Sequence, residues 1–175
     1  MNDVQKNIAS RRSCRSYKSE MVPMELIDQV IEAGLYAPSS LGEQSAIVIA
    51  VTDKAMRDKL SKLNAGFTKN PDGDPFYGAP VVLIVLSKKE RPAQACDGSL
   101  MMQNMMLAAH SLGLATCWIH RAEQVMATEE GRAILADLGL DSDAYVGIAN
   151  CILGYPAWDS VPAAPARKDG RVYKI

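Results

Sequence analysis

The sequence contains little histidine and few large aromatic side chains. Among its 175 residues are two His, two Trp and two Phe. No H-E-x-x-H motif is present, and two histidines are too few to favour a metal-dependent hydrolase. The motifs G-x-S-x-G, G-x-G-x-x-G and G-x-x-x-x-G-K-[ST] are also absent. Their absence argues against a serine-hydrolase elbow, a Rossmann dinucleotide site and a P-loop.

Long apolar runs and paired cysteines are missing as well. No stretch approaches the roughly 20 apolar residues that a membrane-spanning helix requires. The first ten residues, MNDVQKNIAS, lack the apolar centre of a secretory signal. The four cysteines form no C-x-x-C pair and no Cys/His ligand pattern; they are Cys14, Cys96, Cys117 and Cys151. We therefore expect a cytoplasmic protein with no membrane contact, no disulfide framework and no metal site.

The net charge and the chain length limit the remaining classes of protein. The net charge is −1, whereas a general nucleic-acid binder carries a broad basic excess. A length of 175 residues with 48% hydrophobic content predicts one domain spanning residues 1–175. Residues 1–153 carry the core pattern. Residues 154–175 include three prolines and no core pattern, and we expect an extended tail there.

Hydrophobic periodicity predicts helices and strands in alternation. A helix follows Pro23 and ends before Pro38, since apolar residues recur at helical spacing between them. Apolar runs without polar alternation over 46–52 and 80–87 predict strands covered on both faces. Two further strands are predicted over 114–119 and 145–153. Helices are expected over 54–64 and 129–138, with a loop over 68–78. This local pattern alone favours helices on both faces of a parallel sheet, although it does not fix strand direction.

The segment Asp97–Leu112 predicts a helix that is apolar around most of its girth. Such a helix is buried on several sides or lies in a subunit interface. Asp97 is a candidate N-cap, and Gly113 ends the helix. His110 lies within this apolar surface, and we interpret it as a packed or interface histidine rather than a site residue.

The stretch SRRSCRSYKSE, residues 10–20, concentrates positive charge. Arg11, Arg12, Arg15 and Lys18 stand there against the single acid Glu20. A solvated charged face, a nucleic-acid arm and a clamp for a small phosphate all remain open, and the clamp is favoured because Arg forks match phosphate oxygens. Cys14 lies among these cations. We favour a packed side chain there over a redox-active thiol, since no resolving cysteine is near in sequence.

Four segments together resemble the nitroreductase-like flavoproteins. Residues 11–17, RRSCRSY, resemble the family's R-R-S-x-R-x-[FY] opening, and VPMELIDQVIEAGLYAPSS resembles the helix that follows it. QNMMLAAHSLGLATCWI is similar to the family's long central helix and next strand. CILGYP and PARK resemble the last strand and the basic element of the tail. The four segments occur in the family's order over nearly the whole chain.

This resemblance implies an α+β fold with three α-β-α layers and a mixed, mostly antiparallel central sheet. It overrules the parallel arrangement favoured by local pattern. It also implies a homodimer in which the C-terminal tail of each subunit embraces the other. The implied activity is FMN-dependent: the family takes hydride from NADH or NADPH and reduces nitroaromatics, quinones or related acceptors. No acid–base side chain is required, because the cofactor carries the chemistry.

The resemblance also implies a set of cofactor-binding residues. Arg11, Arg12 and Ser13 correspond to the groups on the FMN phosphate and ribityl chain, and Arg15 to the cation near the flavin's pyrimidine edge. A second segment comes from the partner subunit and comprises Pro38, Ser39, Ser40, Gly42 and Gln44. The stretch Trp118, Ile119, His120 and Arg121 runs along the ring, and Arg167 and Lys168 resemble the tail's phosphate contacts.

Three departures from the family pattern bear on the acceptor. Gly42 stands where Asn is usual, Ser45-Ala46 replace Pro-Trp, and His120 stands where Gly is frequent. His120 follows a strand end, where sheet proteins often place ligands, so its ring is expected to line or crowd the acceptor slot. An alternative function follows from these departures: an FMN-binding sensor or carrier without efficient turnover. A nucleic-acid-binding module is the third hypothesis, and it predicts strongly salt-dependent binding.

Overall fold

The computed structural model describes residues 1–175 of the chain. Its elements follow in the order α1 (Asp3–Ser10), α2 (Met24–Leu35), β1 (Ala46–Val51), α3 (Lys54–Ala65), β2 (Val81–Lys88), α4 (Gln94–Ser111), β3 (Ala115–Ile119), α5 (Ala122–Ala127), α6 (Glu129–Asp137) and β4 (Tyr145–Gly154). A 3-10 turn over Ser40–Gly42 precedes β1. None of the helices combines the length and the apolar character needed to cross a bilayer.

The four strands form one sheet in the order β1-β2-β4-β3. Every neighbouring pair is antiparallel, with Ala46 opposite Ser87, Val81 opposite Leu153 and Ala115 opposite Gly154. The only parallel contact is an isolated bridge between Ser13 and Thr116. The resemblance's antiparallel sheet is therefore confirmed, and the parallel sheet is wrong. A strand buried on both faces has the same apolar sequence in either direction, so local pattern could not distinguish them.

Strand β2 explains why the chain folds as three layers. Its residues 81–86 are all fully buried, and alternate side chains point to opposite faces. Val81, Leu83 and Val85 pack with α2 and α4, while Val82, Ile84 and Leu86 pack with α3, α5 and α6. Burying one such aliphatic side chain stabilises the fold by about 1.5–3 kcal/mol. The three-layer α+β expectation is confirmed.

The α2–α4 contact is close because Gly34 lies at it. A Cβ on Gly34 would stand 2.6 Å from Met105 Cγ and 3.3 Å from Met101 Cγ. Beside it, Asn104 Nδ2 donates to Ala33 O at 3.1 Å. These contacts hold α2, and the residues that follow it, against the central helix α4.

The N-terminal boundary of α4 differs from the sequence expectation. The helix begins at Gln94, and Ala93 rather than Asp97 is its N-cap. Asp97 lies in the first turn, and its carboxylate serves a contact outside the helix. Two helices, α1 and α5, were not expected from periodicity, since α1 buries no residue and α5 spans only 6 residues.

An ion pair pins the long loop between α3 and β2. The Arg57 side chain is buried; its Nε donates to Ala79 O at 3.0 Å and its Nη2 to Asp74 Oδ2 at 2.6 Å. Asp74 also accepts from Ser61 Oγ and from the main-chain N–H groups of Phe76 and Gly78. The expected loop over 68–78 is therefore an ordered turn organised around one carboxylate.

The C-terminal segment leaves the body of the chain after Ala157. Ala157 N donates to Ser16 O at 2.9 Å. No hydrogen bond joins residues 158–175 to the rest of the chain, and residues 159–175 are exposed. The apolar side chains of Val172, Tyr173 and Ile175 are among the most exposed in the molecule.

Candidate functional site

The arginine-rich segment lies along the outer edge of β3. Cys14 N donates to Thr116 O at 3.0 Å, next to the Ser13–Thr116 bridge. Further along, Lys18 N donates to Tyr155 O at 2.9 Å, just beyond the end of β4. The main chain is thus held at both ends, and the side chains between these points have a fixed place at the sheet edge.

Arg11 and Arg12 are half-buried, and Arg12 Nη1 donates to Arg11 O, but each side chain keeps one nitrogen without an acceptor. Arg11 Nη1 and Arg12 Nε are shielded from solvent without a hydrogen-bond partner, and no carboxylate forms an ion pair with either side chain. A buried, unpaired guanidinium donor costs free energy until an acceptor reaches it. A phosphate group supplies several acceptor oxygens and negative charge, so these two side chains fit a phosphate.

The neighbouring residues of the segment differ in exposure. Ser13 and Arg15 are both exposed, and Arg15 forms no ion pair and no side-chain hydrogen bond. Both side chains are therefore accessible to a ligand that binds beside Arg11 and Arg12. Lys18 is likewise exposed and unpaired.

Cys14 is a packing residue. Its side chain is buried, and Sγ donates to Ser16 O at 3.0 Å. Tyr17 Oη donates to Cys14 O at 3.0 Å and covers it. Burial raises the pKa of the Cys14 thiol, and the hydrogen bonds that favour the thiolate do not offset this effect. The interpretation as a packed side chain is confirmed, and nearby arginines do not activate the thiol.

The segment Pro38–Gln44 lies at the other edge of the sheet, before β1. Ser39 Oγ accepts from Gln44 N at 2.9 Å, which closes a tight turn. Leu41, Gly42 and Gln44 have φ of 54°, 69° and 49°. Left-handed backbone at two non-glycine residues is strained, and the turn presents Leu41 with 90% of its side chain exposed. The turn therefore combines strained backbone with an apolar side chain that projects from the sheet edge.

Asp97 fixes this turn and was missed as a site residue. Its carboxylate is 5% exposed, and Oδ1 accepts from Ser40 N at 3.0 Å. Asp97 and Met101 line a cavity of about 210 Å³ together with Pro38, Ser39 and Gln44. The local pattern predicts an N-cap at Asp97 instead, because Asp at the start of an apolar helix normally caps it.

The departures at 45 and 46 are accommodated within the sheet. Ser45 is buried, and its Oγ lies 3.2 Å from Ser87 Oγ on the neighbouring strand. Ala46 is buried at the first position of β1. These two residues therefore pack against the body of the chain rather than presenting a bulky ring at the turn.

Trp118 and Ile119 end β3, and His120 and Arg121 follow it. His120 is exposed, and its ring lies edge-on to Trp118 with centroids 6.0 Å apart. Trp118 Nε1 donates to His120 Nδ1 at 3.4 Å. Arg121 then turns the chain into α5 with a φ of 80°. The strand end thus combines a half-buried Trp118 with an exposed His120 ring.

Two buried asparagines hold this strand end, and sequence reasoning missed both. Asn64 Nδ2 donates to His120 O at 2.9 Å, and Asn150 Nδ2 approaches the same oxygen at 3.4 Å. Asn64 is 1% exposed and Asn150 is 3% exposed. An asparagine buried within an apolar helix or strand was the available signal, since such a residue needs a polar partner.

One chain does not bring all of the expected residues together. The arginine segment and Trp118–Arg121 share β3, but Pro38–Gln44 precedes β1 at the opposite edge. Three strand spacings, about 14 Å, separate these edges. Arg167 and Lys168 lie in the exposed tail, and Arg167 donates only to Pro165 O. Within one chain the expected residues therefore lie in separate groups at opposite edges of the sheet.

The comparison with known families decides the assignment. Residues 8–155 match the model described as "Nitroreductase family". The chain belongs to the nitroreductase family. The resemblance found in the sequence is confirmed.

Nitroreductase relatives are similar in both sequence and fold. A Putative NADH dehydrogenase/NAD(P)H nitroreductase of Methanothermobacter thermautotrophicus is 37% identical over 120 residues, which cover 66% of this chain and 60% of that protein. An FMN reductase [NAD(P)H] of Bacillus subtilis is 47% identical over 139 residues, covering 66% and 53%. The chain thus spans less than two thirds of the length of either relative.

A solved nitroreductase shares the whole fold. The crystal structure of a nitroreductase with bound FMN from Bacteroides fragilis superposes with a TM-score of 0.90 and 27% sequence identity. The match covers 100% of both chains. The arrangement of the arginine segment, the central helix and the antiparallel sheet is therefore a family arrangement.

Proposed function

We propose that this protein is an FMN-dependent oxidoreductase that uses NADH or NADPH as reductant. The observation that carries the proposal is the pair of half-buried arginines, Arg11 and Arg12, whose buried nitrogen atoms lack acceptors. They lie in a chain of the nitroreductase family, whose relatives include an FMN reductase and a structure with bound FMN. A phosphate-bearing cofactor is the ligand that these donors fit.

In this proposal the chain's own residues bind the cofactor and orient it. Arg11, Arg12 and Ser13 hold the FMN phosphate and the adjoining ribityl chain. Arg15 supplies a positive charge near the pyrimidine edge, where it stabilises negative charge on the reduced ring. When bound, FMN supplies the redox chemistry, accepting hydride from the nicotinamide and passing electrons to a second substrate. The protein contributes position and electrostatics, and no side chain has to transfer a proton.

Trp118–Arg121 are proposed to lie along the flavin ring. Support comes from the position of β3 at the sheet edge, where main-chain N–H and C=O groups lack a strand partner beyond the Ser13 bridge. The buried Asn64 and Asn150 fix the carbonyl of His120. Main-chain donors at this edge are therefore held in place before a ligand arrives, which reduces the ordering cost of binding.

A homodimer completes the site in this proposal. Each pocket combines Arg11–Arg15 and Trp118–Arg121 of one subunit with Pro38, Ser39, Ser40, Gly42 and Gln44 of the other. Support comes from the separation of these segments within one chain and from the exposed turn at Leu41. Residues 1–153 form the core of a single domain in this proposal. Of the tail 154–175, residues 154–157 pair with the chain's own body, and residues 158–175 embrace the other subunit and bring Arg167 and Lys168 toward the phosphate.

The acceptors that we propose are nitroaromatics, quinones or related small molecules, in a cytoplasmic setting. His120 is exposed directly after β3, and in this proposal its ring lines the acceptor slot. The alternative, a flavin-binding sensor or carrier, is favoured by the same His120 and by Gly42, which depart from the family pattern. Turnover with reduced nicotinamide distinguishes the two functions.

The test is an anaerobic spectroscopic titration of the purified protein. FMN fluorescence should be quenched on binding, and the bound flavin's visible absorbance should bleach when NADH or NADPH is added. Binding without bleaching would support the sensor or carrier function. Absence of binding would overturn both proposals. Sedimentation should show a dimer, and a strictly monomeric protein that binds FMN would contradict the shared pocket.

A further inference from the structure

His110 is a titratable side chain beside the arginine pair that the proposed function does not use. It lies in the last turn of α4, and its Nε2 is 2.7 Å from Ser10 Oγ at the end of α1. The two helices are tied together by Asn7 Nδ2, which donates to Leu107 O at 3.0 Å. The ring is therefore fixed at the junction where α1 leads directly into Arg11 and Arg12.

Opposing influences act on the protonation of His110. Burial, followed by the positive charges of Arg11 and Arg12, lowers the pKa of the imidazole. The C-terminus of α4 acts in the other direction, because its unpaired carbonyl groups favour a cation in the last turn. The remaining charged groups on the helices beside α4 form no ion pair with the ring; they are Asp3, Lys6, Glu25, Asp28 and Glu32. The two arginines are therefore the charges that disfavour the imidazolium.

We propose that His110 takes up a proton when a phosphate group binds at Arg11 and Arg12, so that cofactor binding and protonation are coupled. The inference rests on the proposed function, since it requires the phosphate at that place. A bound phosphate carries one to two negative charges at neutral pH and offsets the two guanidinium charges. Once they are offset, burial alone opposes the imidazolium, and the α4 C-terminus favours it, so the pKa of His110 rises.

The structure already provides for the protonated ring. Both ring nitrogens of an imidazolium are donors, so the contact with Ser10 must run from Nε2 to Oγ. Ser10 Oγ can accept that bond because its own hydroxyl donates to Asn7 O at 3.3 Å. Protonation therefore keeps the existing hydrogen bonds and adds charge at a helix C-terminus. No rearrangement of α1 or α4 is needed.

The sign of the coupling follows from linkage. If binding raises the pKa of His110, FMN binds more tightly as the pH falls through the histidine range. The phosphate of FMN itself titrates near pH 6 and favours tighter binding at higher pH. That opposing effect belongs to the ligand and is the same for every variant. The difference between wild type and a variant at position 110 isolates the contribution of His110.

The experiment is a ring-proton NMR titration, which is tractable because the chain has only two histidines. The H120Q variant assigns the remaining signal to His110. We expect the midpoint of His110 to rise when FMN is bound and to stay unchanged with riboflavin, which lacks the phosphate. An unchanged midpoint in the FMN complex would overturn the inference while leaving the proposed function intact. Failure of FMN to bind wild type would overturn the proposed function instead.

Calorimetry provides the second measurement. FMN binding in two buffers of different ionisation enthalpy gives the number of protons taken up. Wild type should take up more protons on FMN binding than H110Q does. The ratio of the FMN affinity of wild type to that of H110Q should rise about threefold or more when the pH is lowered from 8 to 6. Equal proton uptake by the two proteins would contradict the coupling. The S10A variant keeps the imidazole but removes its acceptor, and should give an intermediate uptake.

Discussion

The buried carboxylate of Asp97 accepts a hydrogen bond from the main-chain N–H of Ser40 at 3.0 Å. These residues are 57 positions apart, and their contact joins the central helix to the strained turn before β1. The turn is the part of the proposed pocket that each subunit gives to its partner. Its geometry therefore depends on a helix residue that does not itself belong to the turn.

Replacing Asp97 with Ala should loosen that turn. Losing a hydrogen bond to a charged, buried acceptor costs about 1.5–3 kcal/mol of unfolding free energy, and FMN affinity should fall as well. Urea unfolding and FMN fluorescence titration measure the two effects. The S99A variant is a matched control. Ser99 lies two residues after Asp97 in α4, and its hydroxyl group donates a hydrogen bond only to Ala95 O within the same helix. If D97A and S99A behaved alike, Asp97 would have no anchoring role.

Asp74 should make stability depend on pH. Burial opposes its ionisation, but hydrogen bonds from Arg57, Ser61 and two main-chain N–H groups outweigh burial and lower its pKa. Because the folded-state pKa lies below the unfolded value, the stabilisation is fully present above about pH 4 and is lost as the pH falls through the folded-state pKa.

The D74N variant tests this directly. At pH 7 we expect it to be less stable than wild type by about 1 kcal/mol in urea unfolding, because the Asp74 side chain is 38% exposed and solvent screens part of the interaction. The difference should shrink as the pH is lowered below about 4, since wild-type Asp74 then becomes protonated. D72N, an exposed neighbour in the same loop, is the control and should show no such dependence. A D74N deficit that stayed constant with pH would contradict the assignment.

The two asparagines behind His120 should differ in importance. Asn64 donates to His120 O at 2.9 Å, whereas Asn150 reaches it at 3.4 Å. N64A should therefore destabilise the chain and weaken acceptor binding more than N150A, by about 1 kcal/mol in stability. Thermal unfolding and the acceptor KM report the two effects separately. The opposite order would show that the strand end is held by other contacts.

Removing the His120 ring should change acceptor choice but leave cofactor binding intact. The ring is exposed at the open end of β3, away from the arginine segment at its start. In H120G, kcat/KM for bulky quinones should rise about tenfold relative to small acceptors, because the slot becomes wider. The Kd for FMN should stay within about twofold of wild type. Equal changes for large and small acceptors would contradict a role in the slot.

Much of the fold could be predicted because its signals are local. The apolar run over 80–87 predicts a strand covered on both faces, and β2 is one. The direction of that strand depends on which neighbours it pairs with, and only family resemblance supplied it. The helix α1 had a local signal that went unused: Asn2 and Gln5 form a capping box.

The parts that were missed depend on contacts between distant segments. Helix α5 is only 6 residues long, and it is held by burial of Ala122, Val125 and Met126 rather than by its own pattern. Asn64 and Asp97 look like ordinary helix residues in sequence. Their roles come from partners 56 and 57 positions away, which no local pattern specifies.

The central claim is that Arg11 and Arg12 bind the phosphate of FMN. An FMN fluorescence titration of the R11A/R12A variant tests it most directly, with K18A as a control that removes an exposed cation from the same segment. Each lost charged contact is worth about 1.5–3 kcal/mol, so R11A/R12A should bind FMN at least about 100-fold more weakly while its riboflavin affinity stays near that of wild type. K18A should bind FMN as wild type does. Unchanged FMN affinity in R11A/R12A would contradict the account.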